Sequence, residues 1–172
     1  MYSDIWFKIN KDIDLTIPIV ERNNVYSEIN KVIKFLNKLD NHQYFFSCGT
    51  VLGLVREGKL LDWDTDVDID IIEPTEPLIE QIIFEMKKLG YSFQRQLKNN
   101  NRYNQLVFCK APYHSIDFCF WYKEKNFFVN DVPETNIFKR SHPISLYEKF
   151  KEIKIENIFF KIPSDTEIYF KT

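Results

Sequence analysis

The chain has 172 residues, 44% of them hydrophobic and 28% charged, which suits one folded domain with a real core and argues against a disordered chain. A net charge of −2 and a pI near 6.0 give no case for nucleic-acid binding. The three cysteines, Cys48, Cys109 and Cys119, show no CxxC spacing, so a disulfide framework and a zinc site are both unsupported.

Residues 1–20 read as an irregular N-terminal extension to a single domain over 1–172. No basic and apolar leader opens the chain, and no apolar run reaches membrane-spanning length. The expected setting is the cytoplasm, with peripheral membrane association left open. From Glu21 to Leu39, Val25, Ile29, Val32, Ile33, Leu36 and Leu39 recur at steps of three and four, the pattern of an amphipathic helix. "QYFFSC" (43–48) reads as a short buried strand. In "GTVLGLVREG" (49–58), Gly49 permits a tight turn, Thr50 is a good helix N-cap, and Gly58 closes a short helix.

"LLDWDTDVDIDII" (60–72) follows and reads as a strand from residue 62. Pro74 and Pro77 then open a helix that runs to Leu89 and is capped by Gly90. Strands are expected at 91–96, 105–110 and 115–122, with a polar turn over 98–104. A turn-rich stretch around Pro133 and Pro143 leads to a helix or strand near 145–152 and a strand at 157–162. This order predicts an α/β (α+β) domain, a mixed β-sheet flanked by helices.

The acid row carries the most chemical information. Asp62, Asp64, Asp66, Asp68 and Asp70 occupy every second position. On a strand they would share one face, about 6.5–7 Å apart, and repel one another. A solvated face tolerates that, but it does not require the regular apolar phase of Val67, Ile69 and Ile71. A calcium loop counted from Asp62 places acids at one, three, five, seven and nine and Glu73 at twelve. Its sixth position, however, is Val67, where the sharp turn needs Gly. A divalent-metal platform fits a third way: Mg²⁺ takes one or two carboxylates and fills its shell with water and phosphate oxygens. Asp117, set in the apolar strand "HSIDFCFW" (114–121), is costly to bury unless it is paired or binds a metal. The Gly49–Thr50 turn at a helix start suits a phosphate, and Arg56 is in reach of a phosphate or of the acids.

"CGTVLGLVREGKLLDWDTDVDI" (48–69) resembles the G-T-x-L-G-x-x-R, spacer, W-D-x-D-x-D-h signature of the LicD/fukutin-related phosphotransferases, which are similar to the nucleotidyltransferase superfamily. "IDF" at 116–118 matches the position of the third acid, and "FFKIPSDTEIYF" (159–170) resembles a late strand–Pro segment. The likeness covers residues 25–170. It implies a nucleotidyltransferase-like fold and transfer of a substituted phosphate, such as phosphocholine or a polyol phosphate, from a CDP-linked donor to a sugar or glycan hydroxyl. It also implies Mg²⁺ (or Mn²⁺) on Asp66 and Asp68, with Asp117 as general base or further metal ligand. Gly49 and Thr50 match the phosphate turn; Arg56, Trp63 and Asp64 match motif positions, Asp64 in a supporting role. Asp62 and Asp70 are extra acids that the motif does not require and are expected to be solvated ends. The family's usual Tyr-Gly-x-x-Trp-like ending is not matched before Thr172, so short acceptor-selecting loops are expected. Two other readings stay open: a nucleotidyltransferase that moves NMP from an NTP to a small molecule or protein, and a non-catalytic calcium-binding module.

Overall fold

The computed structural model describes residues 19–39, 43–99, 101–110, 114–131 and 139–171, so most of the expected N-terminal extension and the Pro133 stretch lie outside the described residues. Helix α1 (Ile19–Leu36) starts slightly earlier than its apolar spacing suggested. Ile29, Val32 and Leu36, on its inner stripe, are almost fully buried. Strand β1 (Gln43–Phe46) and helix α2 (Cys48–Arg56) follow. The strand stops two residues short of expectation because Ser47, not Thr50, takes the N-cap place, and Cys48 turns the chain with φ +48°. Glycine is needed in α2 for space, not for its torsions. A side chain at Gly53 would collide with the backbone of Lys59 and Leu61, where the following loop folds back.

Strand β2 (Asp66–Ile72) holds only the second half of the acid row. Residues 60–65 form a turn instead, closed by Asp64 N–H donating to Leu61 O at 3.2 Å. The five aspartates therefore do not share one strand face, and a calcium loop is ruled out because Asp66–Ile72 is a central strand. Helix α3 (Glu76–Lys88) is capped by Thr75, whose hydroxyl accepts from Leu78 N–H, and Gly90 leaves the helix at φ +84°. Strands β3 (Ser92–Asn99) and β4 (Arg102–Lys110) run further than expected, so the polar turn shrinks to a tight connection with Asn101 at φ +66°. Strand β5 is His114–Glu124, and β6 (Phe127–Asp131) and β7 (Lys139–Pro143) occupy part of the stretch read as turns. A 3₁₀ turn (Ile144–Tyr147) leads into the hairpin of β8 (Phe150–Ile155) and β9 (Ile158–Pro163). Helix α4 (Thr166–Tyr169) comes last.

The main sheet runs β1-β2-β5-β4-β3, with β6 paired to the end of β5 and β7 to β6. Only β2 and β5 among these neighbours are parallel; the other pairs are antiparallel. Val67, Ile69 and Ile71 of β2 and Ile116, Phe118 and Phe120 of β5 are buried in one cluster with Ile29 and Val32 of α1 and Ile79, Ile82 and Met86 of α3. Each such side chain contributes about 1.5–3 kcal/mol on burial. That apolar anchorage leaves the opposite phase of β2 and β5 to carry the acids. The β8–β9 hairpin packs by its rings on β1, with Phe46 and Phe160 centroids 4.9 Å apart. Among the described residues no helix is long and apolar enough to cross a membrane.

Candidate active site

The parallel register of β2 and β5 sets Asp68 directly beside Asp117 and Asp66 beside Ser115. Side chains of register partners point to the same face, so three carboxylates converge. One oxygen from each of Asp66, Asp68 and Asp117 lies within 4.8 Å of the others. Asp66 and Asp68 are half-buried and Asp117 is buried.

Helix α2 and the residue before it hold β2 by its backbone. The Asp68 N–H donates to Thr50 Oγ1 at 3.0 Å, and the Asp68 carbonyl accepts from Ser47 N–H at 3.1 Å. Thr50 is almost fully buried, so its hydroxyl oxygen faces the strand. Gly49 sits against Asp64: a Cβ there would collide with Asp64 Oδ2. The Gly–Thr pair is thus a docking point for the acid segment, and its spacing to the acids is a packing requirement.

The cluster is strained by its own charge. Burial, then repulsion from Asp66, Asp117, Asp70 and Asp64, pushes Asp68 up to about 9. Burial and the neighbouring Asp66 push Asp64 up to about 7. Asp117 rises to about 6 through burial and Asp66, against the hydrogen bond from Ser115 and the charge of Arg95. Hard oxygen donors that repel one another this strongly suit a hard divalent cation, which replaces the shared protons and removes the repulsion.

Asp117 is also oriented. Its Oδ2 accepts from Gln105 Nε2 at 2.9 Å and its Oδ1 from Ser115 Oγ at 3.1 Å. The Gln105 carbonyl oxygen in turn accepts from Arg95 Nη2 at 3.0 Å. Neither Gln105 nor Ser115 stood out in the sequence. They are polar residues on sheet strands, and only the alternation of "HSID" and "NQLV" hinted that they share the acid face.

The outer aspartates separate sharply. Asp70, read as a solvated end, is 1% exposed. Its Oδ1 accepts from Ser47 Oγ at 2.9 Å and its Oδ2 from Tyr147 OH at 3.2 Å. Burial raises it to about 6, against the nearby Trp121 ring N–H, the hydrogen bonds from Ser47 and Tyr147 and the charge of Arg140. Asp62 is exposed and pairs with Lys59 at 2.8 Å. Arg56 is at the far end of α2, more than half exposed and paired with Glu57 at 2.7 Å, so it does not join the three aspartates. Trp63 is 68% exposed on the turn before Asp64. Cys48, Cys109 and Cys119 are free thiols.

The fold is similar to that of the lincosamide antibiotic adenylyltransferase LnuA in its lincomycin-bound crystal structure, with a TM-score of 0.55, 13% identity, and coverage of 83% of this chain and 82% of that one. At that identity the likeness is one of fold alone. The family model for LicD/FKTN/FKRP, nucleotidyltransferase domain, matches residues 41–165, and the chain belongs to that family. Two rickettsial proteins without characterised function are similar. RT0683 of Rickettsia typhi is 30% identical over 125 residues, covering 70% of this chain and 37% of its own length. RP689 of Rickettsia prowazekii is 31% identical over 90 residues, covering 52% and 30%. The chain spans about a third of the length of these relatives.

Proposed function

We propose that this domain transfers a substituted phosphate, of phosphocholine or polyol-phosphate type, from a CDP-linked donor to a sugar hydroxyl in glycan synthesis, as a cytoplasmic enzyme that works at a membrane surface or free of it. The observation that carries this reading is the convergence of Asp66, Asp68 and Asp117 on one sheet face, in a chain of the LicD/FKTN/FKRP family. Asp66 and Asp68 would hold Mg²⁺ (or Mn²⁺), which would supply neutralising charge to the donor diphosphate and stabilise the leaving phosphate.

The protein groups do the rest. Asp117, fixed by Gln105 and Ser115, accepts the proton of the acceptor hydroxyl as its oxygen bonds to phosphorus. The bond from phosphorus to the CMP oxygen breaks, and CMP leaves with that electron pair. The N–H groups of Gly49 and Thr50, in the first turn of α2, have no acceptor within the helix and would be offered to the phosphate. Asp64 supports Asp66 through their shared hydrogen bond. Arg56, exposed at the rim, reaches the substrate only at its outer end.

A second reading, transfer of NMP from an NTP to a small molecule or protein, is favoured by the likeness to an adenylyltransferase fold. The same three acids serve both reactions. Incubation with a panel of CDP-alcohols and NTPs in Mg²⁺, followed by mass spectrometry, separates them. Release of CMP supports the first reading and release of pyrophosphate the second; neither product from any donor refutes both.

A further inference from the structure

Strand β7 reaches the start of α2 through Arg140. His142 stacks on the Tyr169 ring at 5.6 Å and lies 4.7 Å from the Trp121 ring. Arg140, two residues earlier and on the same strand face, brings Nη1 to 4.0 Å from Cys48 Sγ. Cys48 is the first residue of α2, and its N–H donates to the Tyr169 hydroxyl at 2.8 Å. The residue before it, Ser47, bonds both the Asp70 carboxylate and the Asp68 carbonyl. A guanidinium is therefore held at the edge of the acid cluster.

Its chemical state is informative. Arg140 is exposed to solvent, and among the described residues it forms no ion pair. Its sulfur neighbour, Cys48, is a free cysteine, so no carboxylate closes onto the guanidinium there. Arginines that serve only to neutralise a buried acid close onto it in a paired geometry. Asp70 has its two oxygens occupied by Ser47 and Tyr147 instead. An accessible guanidinium whose charge acts on Asp70 and Asp68 without closing onto either carboxylate suits a phosphate, whose oxygens accept its forked donors.

We propose that Arg140 is a donor-binding residue whose guanidinium grips the diphosphate of the nucleotide beside Asp66, Asp68 and Asp117. The inference rests on the reading of this face as a nucleotide-dependent transferase site, and it adds a cation that the sequence motif does not contain.

Calorimetric titration of the whole chain in Mg²⁺ with CDP, ADP and the unphosphorylated nucleoside cytidine tests it. Wild-type protein should bind at least one of the two diphosphates. Arg140→Gln should weaken that binding by about 10–100-fold, Arg140→Lys by less, and both should leave cytidine binding and the thermal midpoint unchanged. Unchanged diphosphate binding in Arg140→Gln, with loss of turnover in Asp68→Asn, would overturn the role of Arg140 and leave the transferase reading standing. Equal loss of cytidine and diphosphate binding in Arg140→Gln would also overturn it, since that marks a general structural effect. No binding of either diphosphate by the wild type would refute both.

Discussion

Gln105 Nε2 donates to Asp117 Oδ2 at 2.9 Å and so fixes which way that carboxylate faces. The amide cannot turn over, because its oxygen accepts from Arg95, and a guanidinium has only donors to offer. Gln105→Leu should lower kcat about 10–100-fold, the usual effect of removing a group that orients a ligand or base, with little change in KM for the donor. Gln105→Glu should be at least as damaging, since it sets a carboxylate against Asp117. Steady-state kinetics on the active donor checks this, and wild-type kcat in Gln105→Leu would refute it.

Asp68→Asn should abolish turnover and divalent-cation binding while raising the thermal midpoint of the metal-free protein at pH 8. The substitution abolishes the cost of keeping this crowded carboxyl protonated at a pH where the unfolded chain ionises it, and it keeps a side chain of nearly the same shape. A melt in chelator beside a Mg²⁺ titration reads both effects. A lower midpoint would mean that the carboxylate stabilises the fold.

The pH response follows from the raised acids. Asp117, Asp64 and Asp68 stand at about 6, 7 and 9, each raised by burial first and then by neighbouring charge. An acid raised in the folded state binds protons that the unfolded chain has already lost. Its stabilising contribution is therefore lost as pH climbs through the folded value. The metal-free protein should lose stability from about pH 4 upward, most steeply below pH 6 where all three groups contribute, with the loss complete near pH 9. Saturating Mg²⁺ should restore it, with an affinity that rises over the same window as protons are displaced. Thermal melts across pH 4–9, with chelator or Mg²⁺, test the sign directly.

Asp70 and Asp62 should differ in stability, not in chemistry. Asp70→Ala strands the hydroxyls of Ser47 and Tyr147 in a buried site, which costs about 1–3 kcal/mol. Asp62→Ala, which breaks an exposed pair with Lys59, should cost about 0–1 kcal/mol. Urea unfolding of the two variants ranks them, and equal midpoints would show that Asp70 is not the structural acid described above.

Gly49→Ala should displace Asp64, since the added methyl group meets its carboxylate. The expected result is a marked loss of activity with a helix that still forms, because alanine is the better helix former. Circular dichroism alongside the turnover assay distinguishes this from unfolding.

The period-two alternation of "DVDIDII" was sufficient to send Val67, Ile69 and Ile71 into the core and to turn Asp66 and Asp68 the other way, because strand geometry is local. Composition and helix spacing likewise placed α1 and α3, and the Gly–Thr–acid motif picked out two segments, α2 and β2, that the fold docks together. The same alternation misled over Asp62 and Asp64, where a turn bond from Asp64 to Leu61 outweighs strand propensity. It also could not tell a buried acid from a solvated one, and Asp70 is buried because Ser47 and Tyr147 reach it from distant parts of the chain. Strand pairing decided the rest: the parallel register that sets Asp68 beside Asp117, the antiparallel one that carries Gln105 to the same carboxylate, and the path of β7 that brings Arg140 to α2. A sequence specifies the faces of its own strands; which strands lie side by side, and at what offset, is fixed only when the whole core packs.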